Sequence, residues 1–161
     1  MVDASYSSYS PEAADQAGVP VFRVLAAQEL EQLERERLLV CQVAARELGL
    51  SDWSMDRSGL AQLQQLLDRG LVSADNLLLA RGLGVVLGDA LSCEMDDMDW
   101  QMVSDEWGTD PVVRYRETSI QVGARDMVLK RLEDGQSVDL LHLLDGVIAH
   151  LQPMIDSGDY Q

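Results

Sequence analysis

Apolar residues recur at helical spacing through the first half of the chain. Between residues 24 and 48 they form one stripe while charged residues occupy the other faces, which predicts a long amphipathic helix. The stripe consists of Leu30, Leu33, Val40, Cys41, Ala44 and Leu48. The charged residues, Glu29, Glu31, Glu34, Arg35 and Glu36, are interpreted as a solvated face. Gly49 is well suited to end the helix.

Two more helices are predicted before the middle of the chain. The first spans residues 58–69, with leucines on one side and Gly70 at its end. The second begins with Ser73 as N-cap, with Val72 and Leu77 at the spacing of a hydrophobic staple, and runs to about Cys93.

Three glycines, Gly82, Gly84 and Gly88, lie within this third predicted helix. They do not form a dinucleotide-binding loop, because Leu87 stands where the third glycine of that motif is needed and no strand precedes them. They predict instead that another part of the backbone packs closely against this helix.

The helical spacing of apolar residues does not continue after Cys93. Residues 100–105, 112–117 and 119–122 are rich in Val, Trp, Tyr, Ile and Thr, which favours short strands. The first two predicted strands are separated by residues that favour turns: Gly108, Asp110 and Pro111. These two strands are therefore expected to form a hairpin.

Two helices are predicted at the end of the chain. One spans residues 124–133 and stops near Gly135, and the other is capped by Ser137 and closed by Pro153. The predicted fold is therefore α+β, with helices packed around a small antiparallel sheet of about three strands and a helical N-terminal half. Residues 1–20, which include a Ser-Tyr repeat, are expected to form a disordered tail, and residues 21–161 a single domain.

The start of the chain has no basic segment followed by an apolar one, so no secretory signal is expected. No run of about 18 apolar residues is present, so we expect no membrane span and a cytoplasmic location.

Charge narrows the classes of partner. The chain has 28 Asp and Glu against 12 Lys and Arg, a formal net charge of -16. Nucleic acids and anionic membranes require a basic surface, so neither is expected as a partner. The charge is compatible with a basic protein partner, but a role in solubility alone is the commoner reason for such a charge.

No catalytic motif is found, and no cofactor or metal is expected. Glu94, Asp96, Asp97 and Asp99 form an acidic cluster without the pattern of a calcium-binding loop. His142 and His150 lie about two helical turns apart, too far to share one metal ion. Cys41 and Cys93 form no ligand pair and are expected to be buried free thiols.

Five residues are candidates for binding. Arg114 and Arg116 are two apart on a predicted strand and so share a face, and Trp100 and Trp107 belong to the same hairpin. Arg and Trp are enriched at binding hot spots. The alternative is that Trp100 fills the core while the arginines pair with acids such as Asp105 and Glu117. His142, between Asp139 and Asp145, is the fifth candidate.

The second half of the chain, about residues 83–151, resembles the bacterial family known as domain of unknown function 3806. The resemblance rests on "LGVVLGDAL" at 83–91, "DWQMVSDEWG" at 99–108 and "MVLKRLEDGQSVDLLHLL" at 127–144, with Lys130, Arg131, Glu133 and Gly135 in the family's pattern. Gly123-Ala124 stands where the family has a proline. The resemblance implies a bacterial, cytosolic α+β domain and assigns no catalytic residue.

Two functions remain open. The first is a non-enzymatic, immunity- or chaperone-like protein-interaction module that uses its acidic surface to bind a basic protein. The alternative is a small-molecule-binding protein or enzyme with a pocket between sheet and helices, using Arg114, Arg116 or His142. A homo-oligomer is compatible with either.

Overall fold

The computed structural model describes residues 18–160, so all but the last three residues of the expected N-terminal tail lie outside the described residues. The elements are, in order, β1 (Val21–Arg23), α1 (Ala27–Leu48), α2 (Arg57–Asp68), α3 (Leu77–Glu94), β2 (Met98–Asp105), β3 (Gly108–Tyr115), β4 (Gln121–Val122), a 3₁₀ helix (Ala124–Asp126), α4 (Met127–Glu133) and α5 (Leu140–Ser157). The α+β class and the helical N-terminal half are confirmed.

The sheet is antiparallel, with the strand order β1-β2-β3-β4. The predicted hairpin is β2–β3, in which Trp100 lies opposite Val113. The expectation of about three strands is wrong by one, because β1 pairs with β2 through Phe22 and Val103. Three residues are too few to show a strand period, and their partner lies far along the chain.

Helix α3 is the centre of the fold, and its glycines allow close packing as predicted. A methyl group on Gly82 would lie 2.5 Å from the carbonyl oxygen of Glu36, and one on Gly84 would lie 2.1 Å from that of Arg125. At Gly88 the same methyl would meet the Trp100 ring at 2.3 Å. The helix is therefore enclosed by α1, the 3₁₀ helix and the sheet.

Three helix boundaries differ from the predictions. Asn76, not Ser73, caps α3, since its Oδ1 accepts from the Leu79 N–H at 3.3 Å, and the predicted staple is therefore absent. Asp139, not Ser137, caps α5 by accepting from the His142 N–H at 3.0 Å. Pro153 does not end α5, which continues to Ser157. Pro153 is exposed, so the carbonyl one turn earlier can bond to water instead.

The predicted faces of α1 need two corrections. Leu30 belongs to the predicted apolar stripe, but its side chain is 55% exposed. Glu36, expected on the solvated face, is buried and accepts two hydrogen bonds from Arg125 of the 3₁₀ helix, the Nε bond at 2.8 Å. Long-range pairing of this kind leaves no local sequence signal.

Within residues 18–160, the helices are too short or too polar to cross a membrane.

Candidate functional site

A cleft opens between the start of α1 and the sheet, and we call it the α1 cleft. It has a volume of about 610 Å³. Its apolar lining consists of Val24, Leu25, Leu30, Leu33 and Trp100. Its charged lining consists of Glu31, Glu34, Arg37 and Asp99.

The connection from β1 to α1 fixes one wall of this cleft. Arg23 donates two hydrogen bonds to Glu29, at 2.6 and 2.7 Å, and Glu29 also accepts from the Ala26 N–H at the start of α1. The Arg23 hydrogen bond, followed by the Ala26 N–H, lowers the pKa of Glu29 to about 2. Arg23 also donates to the Val24 carbonyl at 3.2 Å, so these bonds order the segment that carries Val24, a lining residue that is 79% exposed.

Among the described residues, Arg37 is the one cation in the lining, and it is already paired. Arg37 donates to both carboxylate oxygens of Asp89, at 2.7 and 2.9 Å, and to Glu34. The Asp89 contact raises the pKa of Arg37, so it remains charged and engaged. The rim of the cleft is therefore negative, because it also carries Glu31 and Asp99. The cation nearest to Glu31 is Arg35, at 3.9 Å.

Trp100 has a structural role as well as lining the cleft. Its indole N–H donates to Asp89 at 3.0 Å, and its ring packs over Gly88 of α3. Asp89 therefore joins Arg37 of α1 to Trp100 of β2. The back of the α1 cleft is thereby fixed by buried contacts rather than left to mobile side chains.

Trp107 lies at the tip of the β2–β3 hairpin and is 86% exposed. Its backbone N–H is bound by the Asp105 carboxylate at 2.8 Å, which orders the turn. The structure therefore separates the two tryptophans: one is half-buried at a cleft, and the other projects from a turn.

The two arginines are separated as well. Arg114 lies in β3, where its guanidinium stacks 3.7 Å above the Phe22 ring and donates to Gln101 and to the Thr118 carbonyl. Strand β3 ends at Tyr115, so the predicted strand to residue 117 is too long. Arg116 follows in a turn with φ +46° and pairs with Asp97 at 2.6 Å. They do not form one basic patch.

His142 lies in a second cleft, between the sheet edge at β4 and helices α4 and α5, which we call the β4–α5 groove. The groove has a volume of about 560 Å³. Its polar lining is Ser119, Gln121, Arg131, His142 and His150. Sequence reasoning did not bring Arg131 and His142 together, because they lie on two different helices, α4 and α5, and no local pattern shows that both line one groove.

The acidic cluster forms no metal site in the described part of the chain, where no three Asp, Glu, His or Cys side chains can hold an ion together. Asp97 is instead paired with Arg116. Cys41 is half-buried and Cys93 exposed, both as free thiols, so the expectation that both are buried is wrong for Cys93 and holds only in part for Cys41.

These elements define an α+β domain with a four-stranded antiparallel sheet, and a known structure shares the fold. A crystal structure of a protein from Bacteroides thetaiotaomicron VPI-5482, at 1.50 Å resolution, is similar to the chain with a TM-score of 0.73 and 19% sequence identity. The similarity covers 81% of this chain and 48% of that chain, so this chain spans about half of that protein's length. No curated protein matches the chain.

Residues 59–143, more than half of the chain, match the family described as "Domain of unknown function (DUF3806)". The chain belongs to this family, and the resemblance noted from its sequence is confirmed. The matched span begins in α2 and ends within α5. It includes Trp100 and Asp99 of the α1 cleft, whereas the cleft residues of α1 lie before it.

Proposed function

We propose that this protein is a non-enzymatic interaction domain, immunity- or chaperone-like, that binds a basic partner protein in a bacterial cytosol. The observation that carries the proposal is the α1 cleft. Val24 and Leu30, 79% and 55% exposed, both line this cleft, as do the carboxylates Glu31 and Asp99. Adjacent exposed apolar side chains bordered by charge are typical of a protein-binding surface.

The chemistry of the cleft selects the partner. Its apolar side chains favour an apolar side chain of the partner, because burying that surface removes it from water. Its rim favours Lys or Arg beside that anchor, because Arg37 is occupied by Asp89 and Glu34 and cannot neutralise the remaining carboxylates. We therefore expect the cleft to bind a segment that combines apolar and basic residues.

The charge on the rest of the surface also favours a positively charged partner. Most arginines pair internally, for example Arg57 with Asp145 and Arg81 with Asp126. The excess of carboxylates therefore remains on the outside, where it speeds the approach of a basic protein and disfavours acidic ones. Trp107, beside Asp105 and Glu106 at the hairpin tip, offers a second contact of the kind that arginine side chains favour.

The test is affinity capture from cells of the encoding organism at about 0.15 M salt, where nearby charges still interact. Three forms are compared: the unaltered protein, Leu30→Ser and Leu78→Ser. Leu78 is the matched control, because it is a leucine on another helix with 51% exposure and lies outside the cleft lining.

We expect one basic protein to be retained by the unaltered protein and by Leu78→Ser, to be lost from Leu30→Ser, and to be released by high salt. Equal capture by all three forms would contradict binding at the cleft. Light scattering on the purified protein distinguishes a second copy of this chain as the occupant, which would give a dimer that Leu30→Ser dissociates.

A further inference from the structure

We infer that the β4–α5 groove is a second binding site, for a small organic anion that carries a carboxylate or phosphate group on an apolar body. This inference is independent of the proposed function, since it concerns a different surface with the opposite charge. It rests on the composition of the groove, the geometry of α5 and the state of Arg131.

The composition of the groove is opposite to that of the chain. Of 161 residues, 28 are Asp or Glu and two are His. Among residues 18–160, which the structure describes, the groove lining contains both histidines and Arg131, and it contains no Asp or Glu. Of the two acids that flank His142, Asp139 caps α5, and Asp145 pairs with Arg57 while also interacting electrostatically with His142. An anion in the groove therefore meets donors and no lining carboxylate.

Helix α5 presents these donors along one line. His142, Gly146 and His150 are each four residues apart, so they lie on the same face of the helix. The two imidazoles are separated by about 12 Å along the axis, at 1.5 Å per residue. A methyl group on Gly146 would meet nothing within 4 Å, so the space between the imidazoles is open.

Arg131 supplies the permanent charge. One of its Nη atoms donates to the Met127 carbonyl at 3.1 Å, which orients the side chain, and no carboxylate within residues 18–160 pairs with it. A guanidinium held in this way keeps further N–H groups available, and its planar fork matches a carboxylate or phosphate.

The remaining lining determines the body of the ligand. Leu143, Val147, Leu151 and Met127 provide apolar surface between the polar groups. An inorganic ion would leave this surface in contact with water, whereas an organic anion covers it. The groove is thus suited to a molecule that combines an apolar body with an anionic group.

The chain offers a direct readout, because its only two histidines both line the groove. The untagged 161-residue chain, labelled with ¹³C-histidine, is titrated with octanoate and with phenyl phosphate at constant pH. Sodium chloride and inorganic phosphate at equal ionic strength serve as controls. We expect both imidazole signals to shift saturably with at least one organic anion, and to move little with the two salts.

Three variants locate the site. Arg131→Gln should weaken binding at least tenfold, and Gly146→Leu should abolish it, because the leucine side chain extends from a Cβ that has open space around it. Arg69→Gln, at an exposed arginine outside the lining, should bind as the unaltered protein does. Circular dichroism confirms that each variant is folded.

The inference is overturned if neither organic anion gives a saturable shift, or if chloride moves the signals equally. It is also overturned if Gly146→Leu or Arg131→Gln binds as tightly as Arg69→Gln. Binding of an acidic peptide while both small anions fail would show that the groove is a protein interface instead.

Discussion

At the scale of single residues, the contact between Glu36 and Arg125 joins the first helix to the segment that follows the sheet. Glu36 is 1% exposed, and besides Arg125 its carboxylate accepts from Gln32 at 3.3 Å. Its backbone carbonyl faces Gly82 of α3. A buried charge that makes these bonds is satisfied, but it becomes costly as soon as one partner is removed.

Arg125→Ala should therefore lower the free energy of unfolding by about 3–5 kcal/mol, because it leaves the Glu36 carboxylate buried without its partner. The measurement is urea denaturation. Arg57→Ala is the control, since it removes an exposed pair with Asp145 and should change stability little. The double variant Glu36→Leu, Arg125→Met should recover most of the loss. A similar effect for Arg125→Ala and Arg57→Ala would contradict this account.

Two helical glycines give a matched comparison. Gly84→Ala should destabilise by about 3 kcal/mol or more, because the added methyl would lie 2.1 Å from the Arg125 carbonyl oxygen. Gly146→Ala should stabilise by about 1 kcal/mol, because alanine favours the helix and its methyl meets open space. Thermal unfolding of both variants checks the sign of each change. Changes of the same sign would refute the packing described for α3.

At the level of secondary-structure elements, the sequence predicts the presence and approximate extent of helices and strands better than their first and last residues. All five α-helices and the β2–β3 hairpin are anticipated because their apolar spacing extends over several residues. Ser73 and Ser137 are residue types that commonly cap helices. The helices α3 and α5 nevertheless begin a few residues later, at Asn76 and Asp139, because tertiary packing decides where each helix starts. Strand β1 is recognisable only through β2, its partner in the sheet.

The junction of β1 and α1 should give a pH-dependent stability. Glu29 has its pKa lowered from 4.5 to about 2 in the folded protein, chiefly by Arg23. A lowered carboxylate pKa stabilises the fold above pH 4.5, and that contribution is lost as the pH falls through about 2. Glu29→Gln should thus be less stable than the unaltered protein at pH 7, and the difference should shrink between pH 4.5 and 2.

Urea denaturation at a series of pH values measures this difference. Arg23→Gln removes the other partner of the same ion pair. The difference in the free energy of unfolding between this variant and the unaltered protein should therefore also shrink between pH 4.5 and 2. A difference that stays constant down to pH 2 would show that the ion pair does not set the Glu29 pKa.

At the scale of the whole molecule, the charges are arranged unevenly. Arginines such as Arg37 and Arg125 are used to join elements, while the surplus carboxylates remain outside. The two main clefts consequently differ: the α1 cleft has an acidic rim, and within residues 18–160 no carboxylate lines the β4–α5 groove. The net charge of -16 describes the first surface but gives no indication of the second.

The candidate sites were therefore only partly predictable. The net charge is compatible with a basic partner without identifying one, and Trp100 and His142 do line the two clefts. Leu30 and Arg131 were missed, since their importance depends on which elements lie beside them. Arg114 is held by Phe22 and Thr118, and Arg116 by Asp97, which are contacts that no spacing rule reveals.

The central claim is that the acidic, apolar α1 cleft binds a basic partner. Its most direct test is the binding constant of the captured partner, measured by titration calorimetry from about 0.05 to 0.5 M sodium chloride. We predict that affinity falls steeply with salt for the unaltered protein and for Leu78→Ser, and that Leu30→Ser binds far more weakly at every salt concentration. An affinity that is independent of salt, or unchanged by Leu30→Ser, would contradict the claim.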